Sequence, residues 1–133
     1  FKVYAKRGAP GLPQTVTPLA ELFRDAPWIA FGRDETARVY DRWMHQHLSQ
    51  ARVPVCVDIF NATMAMLRTG IGVGLLPSFV EPDPGLVAVS DAIHELDTPL
   101  WLITHPDLRQ TARIRVFMQH VGDAIARRLA EAT

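Results

Sequence analysis

Apolar residues along this chain fall into short blocks separated by turn-formers, and two periods can be read from them. "LAELF" (19–23) has the spacing of a short helix, and "APWIAFG" (26–32) is an apolar run of strand length. Asp34 follows as a candidate N-cap, with Glu35 in the first turn. The helix from there to about Gln50 places Val39, Trp43 and His47 four apart on one stripe, with Tyr40 beside it. "RVPVCVDIF" (52–60) is β-branched and predicts the next strand, followed by a helix with Asn61 or Thr63 near its start as cap. "LVAV" (86–89) and "PLWLITH" (99–105) predict two more strands, with "DAIHELDT" between them as a loop or partial edge strand. Further on, Ile114, Phe117, Met118, Val121, Ile125 and Leu129 fall at offsets 0, 3, 4, 7, 11 and 15, the stripe of one long amphipathic helix.

Between the third and the last of these helices lies "RTGIGVGLLP" (68–77), with Gly70, Gly72 and Gly74 at alternate positions. A phosphate-cradling glycine loop leaves a strand and opens a helix. Here the order is reversed: "NATMAMLR" is helical in pattern, and "VGLLP" is a short apolar strand. Gly70 therefore reads as the left-handed residue that ends a helix, and Gly72 and Gly74 as sites where a strand packs closely on a neighbour.

Helices alternating with strands at this spacing predict an α/β layer structure with a largely parallel sheet. Ligands in such sheets sit at the C-terminal strand ends, where helix N-termini face the crevice. In this chain those places are Phe31-Gly32-Arg33-Asp34 and Phe60-Asn61-Ala62-Thr63.

With 133 residues the chain is long enough for one domain with a real core, and no apolar run reaches membrane-spanning length. Fourteen cations balance fourteen anions, which argues against this segment gripping a nucleic-acid backbone by itself. The opening "FKVYAKRGAP" has neither a signal-peptide pattern nor an initiator Met, and suggests a piece of something longer. The single cysteine, Cys56, excludes an internal disulfide, fits a reducing compartment, and reads as a small core residue between Val55 and Val57.

Catalytic signals are weak. Ser49, Ser78 and Ser90 lack a nucleophile frame, and no cofactor motif stands out. His45 and His47, two apart on a helix, point away from each other and cannot share a metal ion. The constellation with a binding logic is "FGRDET": glycine lets backbone approach a ligand, Arg33 supplies a planar cation, and the following turn adds N–H groups. Together they would hold a small carboxylate; alternatively Arg33 pairs with Asp34, Glu35 or solvent, and Gly32 serves a turn.

"MAMLRTGIGVGLLPSFVEPDPGLVAV", "TPLWLITHPDLRQTARIRVFMQHV" and the opening "YAKRGAP…TPLAEL" resemble the effector-binding domain of LysR-type transcriptional regulators. Gly70, Gly72, Leu76, Pro77, Gly85, Leu86, Trp101, His105, Pro106, Arg109, Arg113, Arg115 and Phe117 follow the family pattern in order. Val73 and Gly74 depart from it, as does Phe31, where a small polar residue is common.

The resemblance implies a periplasmic-binding-protein-like fold (type 2) of two α/β subdomains with an effector cleft between them. Residues 1–98 would be the second subdomain, and 99–133 the returning crossover strand and final helix of the first. It implies a cytoplasmic sensory module without turnover, binding a small anionic organic effector. Its partners would be a second copy, as homodimer or homotetramer, and DNA through an N-terminal winged helix-turn-helix outside these residues. Carried over by position, Phe31, Gly32, Arg33 and Asp34 match the cleft wall, with Phe60 and Asn61 at the neighbouring strand end. Phe31 favours an organic effector, aromatic ones included. A solute-binding protein of a transporter, which shares the cleft architecture, is the alternative. The apolar stripe of the last helix is expected to be exposed here and to favour association.

Overall fold

Short strands need partners on both sides, and the arrangement of this chain is set by which strand takes the middle. The computed structural model describes residues 1–32, 39–48, 51–79 and 83–131. Five strands are formed: β1 (Lys2–Lys6), β2 (Trp28–Phe31), β3 (Val55–Val57), β4 (Val73–Leu76) and β5 (Leu86–Ala88). The helices are α1 (Leu19–Asp25), α2 (Val39–His47), α3 (Phe60–Thr69) and α4 (Ala112–Glu131), with 3-10 turns at His94–Leu96 and Pro106–Leu108. The chain divides into a unit of Phe1–Asp97 and a unit of Thr98–Thr133.

In the first unit the strands lie in the order β3-β2-β4-β1-β5. β2 pairs in parallel with β3 and β4, while β1 runs antiparallel to β4 and β5. The sheet is therefore mixed rather than largely parallel, because of a strand that the sequence pattern did not signal. Only Val3, Tyr4 and Ala5 lie between the two lysines of β1, too short a run to stand out, yet all three are buried. Partners on both flanks supply what local propensity does not.

Alternation along the strands divides the core into two layers. Val3, Ala5, Trp28, Ala30, Val73 and Leu75 pack with Leu22 of α1 and with Trp43 and Met44 of α2. Tyr4, Ile29, Leu76 and Leu86 pack with Leu67 of α3. Trp28 is fully buried, and its indole donates to the Leu22 carbonyl at 2.9 Å, which ties α1 to β2.

The glycine segment is structural. Gly70 ends α3 in the left-handed conformation (φ 78°), and its N–H donates to the Leu67 carbonyl at 3.0 Å. At Gly72 a Cβ would lie 2.5 Å from the Pro27 carbonyl oxygen, so only glycine lets the chain enter β4 beside β2. Elsewhere boundaries differ from expectation. β3 covers only Val55–Val57 of the predicted run, and Cys56 is exposed on this edge strand rather than held in the core. On α2 the buried positions are Asp41, Trp43 and Met44, whereas Val39 and His47 face outward. The predicted helix start at Asp34 lies outside the described residues.

In the second unit α4 forms over the predicted stripe, but Ile114, Met118, Val121, Ile125 and Leu129 are only half-buried, and Phe117 is exposed. No strand forms at 99–105: propensity does not make a strand without a ladder partner, and Trp101 and Ile103 are 77% and 85% exposed. No described side chain of this unit is buried.

Two tests follow from packing. Gly72→Ala should cost about 1–3 kcal/mol, since the clash is with backbone. Gly122→Ala, in open space within α4, should instead gain about 0.5–1 kcal/mol. Paired urea denaturation curves check both signs. A third test concerns the turn before β5, where Asp83 accepts from the Gly85 N–H at 2.8 Å and from Arg68 Nε at 2.5 Å. First the Gly85 N–H and then Arg68 hold this carboxyl below its usual value of 3.8. Folding lowers the pKa, so the contribution is complete above that usual value and is lost as pH falls through the lower folded one. Asp83→Asn should be less stable than wild type at neutral pH, and the gap should close in acid unfolding titrations.

Candidate functional site

β2 and β3 end in register at the same edge of the sheet, Phe31 opposite Val57. The Gly32 N–H donates to the Val57 carbonyl at 2.8 Å, which locks the two ends together. Gly32 is left-handed (φ 62°), and a Cβ there would meet the Asp41 carboxylate at 3.2 Å. The left-handed backbone favours glycine here, and any Cβ would also press on the buried Asp41 carboxylate of α2.

Beside Gly32 four aromatic rings meet, three of them from β2, α2 and α3 and the fourth from Phe1, just ahead of β1. Phe31 touches Phe60 with ring centroids 4.7 Å apart and Tyr40 edge-on at 5.2 Å. Tyr40 and Phe60 are 5.1 Å apart, and Phe1 reaches them at 5.7 and 6.0 Å. Phe31, only 4% exposed, forms the floor of this cluster, while Phe1, Tyr40 and Phe60 are half-buried above it. Ile59 and Val39, 59% and 47% exposed, are the chain neighbours of Phe60 and Tyr40.

The helix that leaves this edge starts without a side-chain cap. Its N-cap is Ile59 in extended conformation, and neither Asn61 nor Thr63 caps it. The chain reaches Phe60 directly from the short β3, so helical geometry begins before either polar residue can take the cap position. Asn61 is exposed in the first turn. Thr63 is fully buried in the next, and its hydroxyl has no hydrogen-bond partner among the described residues. The first-turn N–H groups and the helix dipole thus present positive potential at the strand ends.

Of the six residues singled out from sequence, Phe31, Gly32 and Phe60 are brought together at this edge, and Asn61 lies on the first turn of the same helix. Arg33 and Asp34 lie outside the described residues. Sequence reasoning missed Phe1 and Asp41, and saw Tyr40 only as a flank of a helix stripe. Tyr40 carried one signal, an aromatic in the predicted helix that follows the strand-end Gly32, eight positions on. Among the described residues, no three His, Cys, Asp or Glu side chains group as a metal site requires.

Comparisons with known proteins agree with this architecture. The family model described as LysR substrate binding domain matches residues 3–126. Among solved structures the chain is similar to Corynebacterium glutamicum OxyR in its oxidized form, at a TM-score of 0.51 and 14% identity. The match covers 98% of this chain and 43% of that one, so this chain spans under half the length of that protein. The likeness is one of fold, periplasmic-binding-protein-like. No match was found among curated proteins. With nearly its whole length matched, the chain belongs to the LysR substrate binding domain family.

Proposed function

We propose that this chain senses a small anionic organic effector at the edge formed by Phe31, Gly32, Arg33, Asp34, Phe60 and Asn61. On this reading residues 1–98 are the second subdomain of an effector-binding domain, and 99–133 belong to the first as returning crossover segment and final helix. Binding favours one arrangement of the subdomains and so alters a homodimer or homotetramer whose DNA contacts lie in a separate winged helix-turn-helix. The ligand shifts that equilibrium only by its differential affinity for the two arrangements.

The observation that carries the reading is the Gly32 turn. It is bonded to the end of β3 and lies at the same sheet edge as an uncapped helix N-terminus and a half-buried aromatic cluster. Such an edge offers apolar surface for a carbon skeleton and N–H groups for a carboxylate. The exposed apolar side chains of the second unit support its assignment to a subdomain built with further chain, because isolated units bury such positions.

Calorimetry on the complete protein, with a carboxylate found by thermal-shift screening, tests the site. Arg33→Ala should weaken binding by on the order of 1–3 kcal/mol. Asn61→Asp should raise thermal stability by about 0.3–1 kcal/mol through the helix dipole while lowering anion affinity. Unchanged affinity in both variants would remove this edge from the binding site.

A further inference from the structure

The aromatic cluster is tied to a second place in the unit by two hydrogen bonds from different elements. One turn after Tyr40, α2 carries Trp43, which is 6% exposed. Its indole Nε1–H donates to Oε2 of Glu95 at 2.7 Å, across 52 positions of sequence. Glu95 lies in the 3-10 turn His94–Leu96, immediately before the chain leaves the first unit at Asp97. The other tie is backbone: the Phe1 carbonyl accepts from the Ile93 N–H at 2.8 Å, and the Phe1 ring rests on Tyr40 and Phe60. Ile93 and Leu96 are 4% and 1% exposed and share a core layer with Trp43, Met44 and Phe31. The exit segment is thus packed on the same helix that shapes the aromatic cluster.

We propose that Glu95, acting through Trp43, is a positioning residue. It holds α2, and with it Tyr40, in place at the strand edge, and it links the state of that edge to the segment leaving the unit. The proposal rests on the reading of this edge as the effector site. Its mechanism is that of a lever: α2 spans nine residues, with Tyr40 in its first turn and Trp43 one turn on. A helix this short moves as a rigid body, so displacing Tyr40 must strain or shift the Trp43–Glu95 bond. The converse holds as well, since coupling between two places is reciprocal.

The indole N–H resonances of the complete protein read this directly. Tyr40→Ala should shift the Trp43 indole signal and speed its hydrogen exchange about fivefold, the factor expected when one ordinary hydrogen bond is loosened. The Trp28 indole, bonded to Leu22 in the same core layer, should stay in place and serves as the control for folding. In the reverse direction Glu95→Ala, a change at an exposed side chain, should shift the backbone amides of Gly32 and Asn61. Glu95→Gln, which keeps an acceptor for the indole, should restore them. An unmoved Trp43 indole in Tyr40→Ala, or equal effects of Glu95→Ala and Glu95→Gln, would overturn the proposal. Should Tyr40→Ala fail to fold, the Glu95 pair decides alone. No effector enters these readouts, so their failure leaves the binding reading standing, and loss of that reading is seen only in the calorimetry.

Discussion

β2 has parallel neighbours on both sides, and the first unit is organised around that fact. Trp28 and Ile29 pair with β4, Ile29 to Phe31 pair with β3, and the pairing with β3 ends with the bond from Gly32 to the Val57 carbonyl. At that point stands a left-handed glycine beside a buried carboxylate. Because β3 ends in register with β2, the helix that follows it starts at the same edge. The aromatic cluster closes that edge from both helix layers at once, Tyr40 on α2 and Phe60 on α3. Apolar surface, N–H groups and a fixed turn are brought together by strand pairing, before any residue is selected for a ligand.

The two units differ in how they are held. In the first, two apolar layers cover the faces of the sheet, and glycines at close approaches let the strands meet. In the second, a 20-residue helix and an extended apolar segment bury no described side chain. Burial of apolar surface is the main source of stability, at about 25 cal/mol per Å². The first unit has that source within itself, and the second has little of it.

Much of this was legible in the sequence, and the misses have physical causes. The α/β class, the left-handed cap at Gly70, the strands at 28–31 and 86–88 and the long final helix follow from period and turn chemistry. β1 was invisible because three apolar residues between lysines carry no period, and its place depends on partners far along the chain. The strand expected at 99–105 shows the converse: strong β propensity without a ladder partner. Cys56 was misplaced because the pattern identified a strand but not that it was an edge. At the candidate site, Gly32 and Phe60 were readable from strand-end logic. Tyr40 joins them only through the way α2 is rotated about its axis, which hydrophobic spacing placed about one position off: Met44, not Val39, faces inward.

The central claim is that the edge beyond β2 and β3 is where a small molecule binds. The most direct measurement is the position of effector density in a crystal structure of the complete protein grown with its inducer. The ligand's anionic group should lie against the first turn of α3 and its carbon skeleton on Tyr40 and Phe60. Density at the opposite edge of the sheet, near Lys6 and Gly72, with the Gly32 turn untouched, would contradict it.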